Sequence, residues 1–135
     1  MMGASSAASS PRTFLSFDFS LRRVGVATGN SLTRSATPLK TLTQEGDARF
    51  EVIGRLIREW QPSALVVGVP RHPDGAPHDN TARAQRFARQ LAGRFGLPVH
   101  EVDERYTSTE ARSLGAADAD AGAAALILEQ YLRNP

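Results

Sequence analysis

Short apolar runs with polar joints between them open the chain. "TFLSFDF" and "RVGVATG" are each rich in aromatic, β-branched or small residues, and "SLR" separates them. Such runs predict two strands joined by a turn. A third strand is expected over roughly 32–42, where Pro38 suggests an edge position because proline cannot donate to a sheet. The three strands are predicted to form an antiparallel meander.

After the third predicted strand, the apolar residues no longer alternate with polar ones but recur about every 3.6 residues. Phe50, Ile53, Ile57 and Trp60 are spaced three, four and three residues apart, which predicts a helix that ends at the Gln61–Pro62 step. "ALVVGVP" follows as a continuous apolar run, which is typical of a strand buried on both faces. "RHPDGAPHDN" is rich in Pro, Gly and Asp and is predicted to be a loop.

Helices and one more strand complete the predicted order. A second helix is expected over 80–95, a strand over "GLPVHEV", a short helix after the capping box Thr107-x-x-Glu110, and a final helix over "AGAAALILEQYLR". The order β-β-β-α-β-α-β-α-α predicts an α/β fold. Its mixed five-stranded sheet has three antiparallel strands, then βαβ units, with helices on both faces.

Composition narrows the class of protein without identifying it. A chain of 135 residues that is 41% hydrophobic and 22% charged suits one globular domain. We assign residues 1–12 to a disordered tail and 13–135 to a single domain, because "MMGASSAASSPR" lacks the apolar centre of a signal peptide. The absence of cysteine excludes disulfides, thiol catalysis and Cys-zinc sites. We expect a cytoplasmic protein that does not enter membranes.

Acidic residues follow several of the predicted strands. Asp18 lies near the end of the first strand, inside an apolar run where a charge is costly unless it is paired or binds a metal. Asp103 and Glu104 follow the fifth strand, and Asp74 lies in the loop after the fourth. Ligands of open α/β sheets bind at the carboxyl ends of the parallel strands. Several carboxylates are therefore expected at one edge of the sheet.

The final helix brings another carboxylate to this edge. At 100° per residue, Ala124 and Ile127 lie within roughly 40° of Asp120, which places Asp120 at the leading end of the buried stripe. Asp18, Glu104 and Asp120 can then share one small volume. Clustered carboxylates repel one another unless cations join them, and hard oxygen donors select Mg²⁺ or Mn²⁺.

Structural roles explain each of these carboxylates equally well from the residues alone. Asp18 suits a turn, although "FSLR" offers no Gly, Asn or Pro beside it. Glu104 can form a surface ion pair with the adjacent Arg105. Asp120 can serve as a cap for the helix dipole.

Four motifs in order give a more specific indication. "DFSLRRVGVA", "VVGVP" followed by Asp74-Gly75, "VDERYTSTEA" and "DAGAAALILEQYL" resemble the four motifs of the YqgF (RuvX) family of Holliday-junction-resolvase-like proteins, and the likeness spans about residues 14–132. The resemblance implies a ribonuclease-H-like fold. It also implies a divalent-metal-dependent nuclease that matures the 5′ end of pre-16S rRNA, a role in ribosome biogenesis.

The same resemblance implies roles for individual residues. The catalytic and metal-binding carboxylates would be Asp18, Glu104 and Asp120, with Mg²⁺ or Mn²⁺ as cofactor. The residues at the remaining matched positions are candidates for substrate binding: Arg22, Arg23, Arg105 and Thr107. Ser20 departs from the family pattern, which has glycine there. A side chain at this position can crowd the substrate or shift Asp18.

Other functions remain open at the level of the sequence. A Holliday-junction resolvase acting on branched DNA uses the same scaffold, and a non-catalytic nucleic-acid-binding module would need no metal. A phosphotransferase of the sugar-kinase type is disfavoured, because that class needs two such domains and the chain has no Walker-type glycine loop. We expect nucleic acid as the partner, most of all pre-16S rRNA, and a monomer or weak dimer.

Overall fold

Five strands and three helices make up the described part of the chain. The computed structural model describes residues 12–72, 74, 76, 80–103 and 119–133. The strands are β1 (Thr13–Phe19), β2 (Val24–Asn30), β3 (Ala36–Leu42), β4 (Ala64–Val69) and β5 (Val99–Asp103). The helices are α1 (Asp47–Trp60), α2 (Thr81–Phe95) and α3 (Ala119–Arg133). The predicted tail, apart from Arg12, and the short helix predicted after Thr107 lie outside the described residues.

The strands form one mixed sheet in the order β3-β2-β1-β4-β5. The β1–β2 and β2–β3 pairs are antiparallel, whereas β4 is parallel to both β1 and β5. The carboxyl ends of β1, β4 and β5 therefore lie at one edge of the sheet. This arrangement confirms the predicted α/β class and the predicted five-stranded sheet.

The third strand begins later than the sequence pattern predicts. β3 starts at Ala36 rather than near residue 32. The side-chain oxygen of Asn30 accepts hydrogen bonds from the backbone N–H groups of Leu32 and Thr33, at 3.0 and 2.9 Å. Arg34 then adopts a left-handed conformation with φ of 56°. This local hydrogen bonding forms a turn, so residues 31–35 are not available for sheet pairing.

Alternate residues of β1 face two different helical layers. The Phe17 ring packs edge-on against Phe87 of α2, with ring centroids 5.9 Å apart, and belongs to the core under α1 and α2. Ser16 points the other way, where its hydroxyl donates to the carbonyl of Ala124 in α3 at 2.7 Å. Helices therefore cover both faces of the sheet, α1 and α2 on one and α3 on the other.

The helix ends follow local chemistry. Gln61 adopts a left-handed conformation with φ of 47° and donates its N–H to the carbonyl of Ile57 at 2.8 Å, after which Pro62 prevents further helix. The Thr81 hydroxyl donates to the carbonyl of Pro70, which joins the start of α2 to the end of β4. None of the helices in the described ranges has the length and apolar character needed to cross a bilayer.

Candidate active site

The direction of α3 across β1 places two acidic residues together. Ser16 contacts Ala124, and Asp18 is the next β1 residue on that face. Phe14, two residues before Ser16, packs in one cluster with Ile127 and Leu128, so α3 runs opposite to β1. Two strand residues span about 6.7 Å and four helical residues about 6 Å, so the helical residue beside Asp18 is Asp120. The strand period and the helix rise therefore bring these two carboxylates to the same end of the sheet.

Gly25 gives independent evidence for this juxtaposition. Gly25 is the antiparallel register partner of Asp18, and paired residues point to the same face of a sheet. A Cβ atom built on Gly25 would lie 1.9 Å from the carbonyl oxygen of Asp120 and 2.7 Å from the backbone nitrogen of Ala121. The first turn of α3 therefore lies directly on β2, beside the Asp18 side chain.

Small residues on both elements allow this close approach. A Cβ atom on Gly29 would lie 2.9 Å from the Leu128 side chain and 2.6 Å from the carbonyl of Ser35. Between the two glycines, Ala27 packs against Ala124 and Ala125 of α3. Because β2 offers only hydrogen and methyl groups to α3, the helix backbone approaches the sheet closely and its position beside Asp18 is well defined.

The strand on the other side of Asp18 also places a glycine beside it. The register partner of Asp18 in β4 is Gly68. Because Gly68 has no side chain, β4 adds none beside the Asp18 carboxylate in the direction of β5. Asp18 is 8% exposed and the Asp120 side chain is 21% exposed, so both are shielded from bulk water without being sealed off.

Asp120 forms an ion pair with Arg23. The distance from Arg23 Nε to Asp120 Oδ2 is 3.0 Å, and the Arg23 side chain is 61% exposed. Arg22, its neighbour in the β1–β2 turn, is exposed. The turn thus carries two exposed guanidinium groups, and that of Arg23 contacts Asp120.

Ser20 closes the same turn without backbone strain. Its backbone N–H and its hydroxyl both donate to the carbonyl of Arg23, at 2.9 and 2.8 Å. Among the described non-glycine residues only Arg34 and Gln61 have positive φ, so Ser20 does not need the conformation that favours glycine. The serine hydroxyl is bonded within the turn and supports the backbone position of Arg23.

Arg49 is a feature of the site that the sequence reasoning missed. This α1 residue is 7% exposed, and its guanidinium donates to the carbonyls of Leu21 and Gln44, each at 3.0 Å. Burial lowers the pKa of Arg49, and the charge of Glu45 partly opposes this effect. Arg49 joins the β1–β2 turn to α1. The sequence offered one indication of this burial. Arg49 lies four residues before the buried Ile53, so both residues lie on the same face of α1.

Three predicted site residues, Glu104, Arg105 and Thr107, lie outside the described residues. Within the described ranges, no three His, Cys, Asp or Glu side chains form a cluster able to hold a metal ion. Asp74 accepts the N–H of Ala76 at 2.9 Å within its own loop. At the end of β5, the Asp103 carbonyl accepts a hydrogen bond from Gln130 at 3.2 Å, which ties that strand end to α3.

Comparison with known sequences identifies close relatives. The RuvX family, described as Holliday junction resolvase, matches residues 12–134. A protein of Polaromonas sp. strain JS666, named "Putative pre-16S rRNA nuclease", is 66% identical over 123 residues, which cover 91% of this chain and 89% of that protein. A protein of the same name from Paraburkholderia xenovorans is 53% identical over 133 residues, which cover 93% of this chain and 91% of that protein.

Comparison with solved structures supports the fold alone. Thermus thermophilus RuvC in complex with a Holliday junction substrate aligns with a TM-score of 0.56 at 14% sequence identity. The alignment covers 90% of this chain and 94% of that chain. A second Thermus thermophilus RuvC structure aligns with a TM-score of 0.51 at 15% identity. The sheet and its flanking helices therefore have the RuvC-like, ribonuclease-H-like arrangement.

Proposed function

Since this chain belongs to the RuvX family and is a nuclease that hydrolyses phosphodiester bonds, we propose that it matures the 5′ end of pre-16S rRNA in the cytoplasm, with Mg²⁺ or Mn²⁺ as cofactor. The observation that carries the proposal is the contact of the Asp120 backbone with Gly25, the register partner of Asp18, which supports Asp18 and Asp120 as members of one site. The names of the relatives, at 53% to 66% identity, support rRNA as the substrate.

The donor chemistry of the site fits a divalent ion. Asp18 and Asp120 are hard oxygen donors in a partly shielded position, and the ion pair of Asp120 with Arg23 is consistent with a position that attracts a cation. Glu104, which directly follows the last residue of β5 in sequence, is proposed as the third ligand. When bound, the ion supplies a more acidic water and stabilises charge on the phosphate.

The chain's own residues then orient the substrate. Asp18 lies within β1 and is shielded from water, so the sheet fixes the position of its backbone beside the turn. Arg22 and Arg23 lie in the exposed turn beside it, and guanidinium groups bind phosphate oxygens in a bidentate manner. We propose that Arg23 exchanges Asp120 for a phosphate when substrate binds. Arg105 and Thr107 are proposed as further substrate contacts from their motif positions.

A resolvase acting on branched DNA is the second candidate, and the family description as Holliday junction resolvase favours it. Both candidates use the same carboxylates and the same metal. They differ in the substrate, so the two are separated by assay rather than by the geometry of the site.

The test compares two substrates and two variants. Purified protein is incubated with precursor 16S rRNA or with a four-way DNA junction, with Mg²⁺ or with a chelator. We expect the precursor RNA to be cut only with the metal. Asp18→Asn should abolish cleavage, whereas the control Asp47→Asn should cut normally, because Asp47 is 89% exposed in the first turn of α1.

Two results would contradict the proposal. Asp18→Asn that cuts as well as the parent would exclude Asp18 from the chemistry. Preference for the four-way junction over precursor rRNA would assign the DNA substrate instead.

A further inference from the structure

A groove lies on the face of the sheet opposite to α3, next to the same β1–β2 turn. Its volume is about 270 Å³, and α1, α2 and the turn form its walls. We call it the turn groove and define it by residues of these elements: Phe19, Leu21, Arg49, Arg83, Arg86 and Phe87. Of the residues described above for the candidate site, Arg49 lines this groove, whereas Asp18, Asp120, Arg22 and Arg23 do not.

Positive charge dominates the turn groove. Arg83 and Arg86 are exposed on α2, and Arg49 is the buried cation that faces them. The groove lining includes no Asp or Glu. Arg83 donates to the Asn80 side chain at 3.1 Å, and no carboxylate in the described part of the chain forms an ion pair with it. The charge of the groove therefore suits a phosphate.

Arg49 retains donors for a ligand. A guanidinium has five N–H groups, and those of Arg49 make two hydrogen bonds, to the carbonyls of Leu21 and Gln44. The ion pairs found in the described part of the chain are Arg23–Asp120 and Arg94–Asp47, so no described carboxylate contacts Arg49 directly. Glu45 acts on Arg49 through its charge without forming an ion pair with it, and a phosphate in the groove would give this buried cation a direct anionic partner.

Apolar surface lies next to these cations. The rings of Phe19 and Phe87 are 4.9 Å apart and inclined by 30°, and they form the inner wall. Leu21 is 53% exposed at the rim. Proteins hold single-stranded nucleic acid by combining apolar or aromatic surface with arginines. The base packs on the apolar surface, and the arginines bind the phosphate backbone.

The turn groove and the carboxylates lie on opposite faces of one sheet edge. Phe19 follows Asp18 directly in β1, so their side chains point to different faces. The β1–β2 turn between the two surfaces presents Arg22 and Arg23. A nucleic-acid strand that runs over this turn therefore meets arginines along its whole path from one surface to the other.

We propose that the turn groove binds one unpaired nucleotide of an RNA strand whose neighbouring phosphates cross the β1–β2 turn to the Asp18–Asp120 site. The inference rests on the proposed function and specifies its substrate as single-stranded at this position. A volume of 270 Å³ is below the roughly 300–1,000 Å³ of pockets for drug-sized ligands, so it suits one base rather than a base pair.

The test measures binding separately from cleavage. In an Asp18→Asn background, the affinity for a fluorescent single-stranded RNA is measured by anisotropy at several salt concentrations. Arg83→Ala with Arg86→Ala should lower the slope of log affinity against log salt by about 1.4, for two phosphate contacts at about 0.7 each. If the affinities of the parent and the variant become equal at 1 M salt, that difference in slope corresponds to about 25-fold weaker binding of the variant at 0.1 M salt.

Matched variants separate the groove from general electrostatics. Arg55→Ala with Arg58→Ala removes the same charge from exposed positions of α1 that line a different groove, and it should leave the affinity within about twofold. Leu21→Ser should weaken binding several-fold without changing the salt slope, because it removes apolar contact and no charge. Circular dichroism of each variant checks that it is folded.

Each outcome bears on the inference. The inference would be overturned if the Arg83/Arg86 and Arg55/Arg58 double variants lost equal RNA affinity. It would also be overturned if the parent bound single-stranded RNA and a duplex of the same length with equal affinity. A parent protein that binds no RNA would overturn both this inference and the proposed function. Loss of RNA binding in the groove variants together with full cleavage by Asp18→Asn would support the groove and refute the catalytic assignment.

Discussion

Replacing Gly25 with alanine inserts one methyl group between β2 and the start of α3. That methyl carbon would lie 1.9 Å from the Asp120 carbonyl oxygen, whereas contacts of real Cβ atoms below 3.0 Å are essentially never seen. The obstructing atoms belong to the backbone, so a side-chain rotation cannot relieve the overlap. The first turn of α3 must move away from the sheet by at least about 1 Å.

The size of the effect follows from this displacement. Extra methyl groups in well-packed interiors typically cost about 1–3 kcal/mol, and we expect about 3 kcal/mol for Gly25→Ala because the overlap is with backbone. For a chain of this length that corresponds to a fall in Tm of roughly 10 °C. Displacing Asp120 from Asp18 should lower kcat about 100-fold, since a misplacement of about 1 Å has that effect on catalysis.

Urea denaturation and the metal-dependent cleavage assay measure these two effects on one protein. Gly93→Ala is the matched control, because its added methyl group meets no atom within 4 Å beyond the local backbone of its own helix, and its φ is not positive. The control should be more stable than the parent by about 0.5–1 kcal/mol, with unchanged cleavage. If Gly25→Ala were as stable and active as the parent, the close contact of α3 with β2 would be refuted.

Two further predictions concern the β1–β2 turn. Arg49→Met should lower the free energy of unfolding, measured by urea denaturation, by about 2–3 kcal/mol, because a charged group donates the hydrogen bonds to Leu21 and Gln44. An unchanged urea midpoint would mean that these bonds contribute nothing to stability. Ser20→Gly should lose about 1 kcal/mol, because its hydroxyl bonds to Arg23, and should cleave RNA within about threefold of the parent. A large gain in its cleavage rate would show instead that serine obstructs the site.

The elements were predictable because each has a strong local signal. Spacing of Phe50, Ile53 and Ile57 predicted α1, and the continuous apolar run predicted β4 as a strand buried on both faces. The start of β3 was wrong because the Asn30 side chain forms a turn, a local competition that hydrophobic period does not show. The family resemblance drawn from the four motifs is confirmed by the match over residues 12–134.

The candidate site was only partly predictable. The helical period placed Asp120 on the same face as Ala124, and the contacts of α3 agree with that direction. The ion pair of Asp120 with Arg23 depends on the conformation of a turn, which residue types alone do not determine. The burial of Arg49 depends on where the turn meets α1, a contact between segments distant in sequence. The roles of Asp18, Glu104 and Asp120 stay predictions.

The dependence of the site on α3 has a consequence for biosynthesis. The hydrogen bond between Ser16 and Ala124 joins residues 108 positions apart, and Asp18 and Asp120 are almost as distant. All five strands leave the ribosome before α3 does, so a growing chain presents the first carboxylate without the second. Because such distant contacts form late in folding, the nascent polypeptide lacks the paired carboxylates. Under the proposed function, it cannot cut the rRNA of the ribosome that is making it.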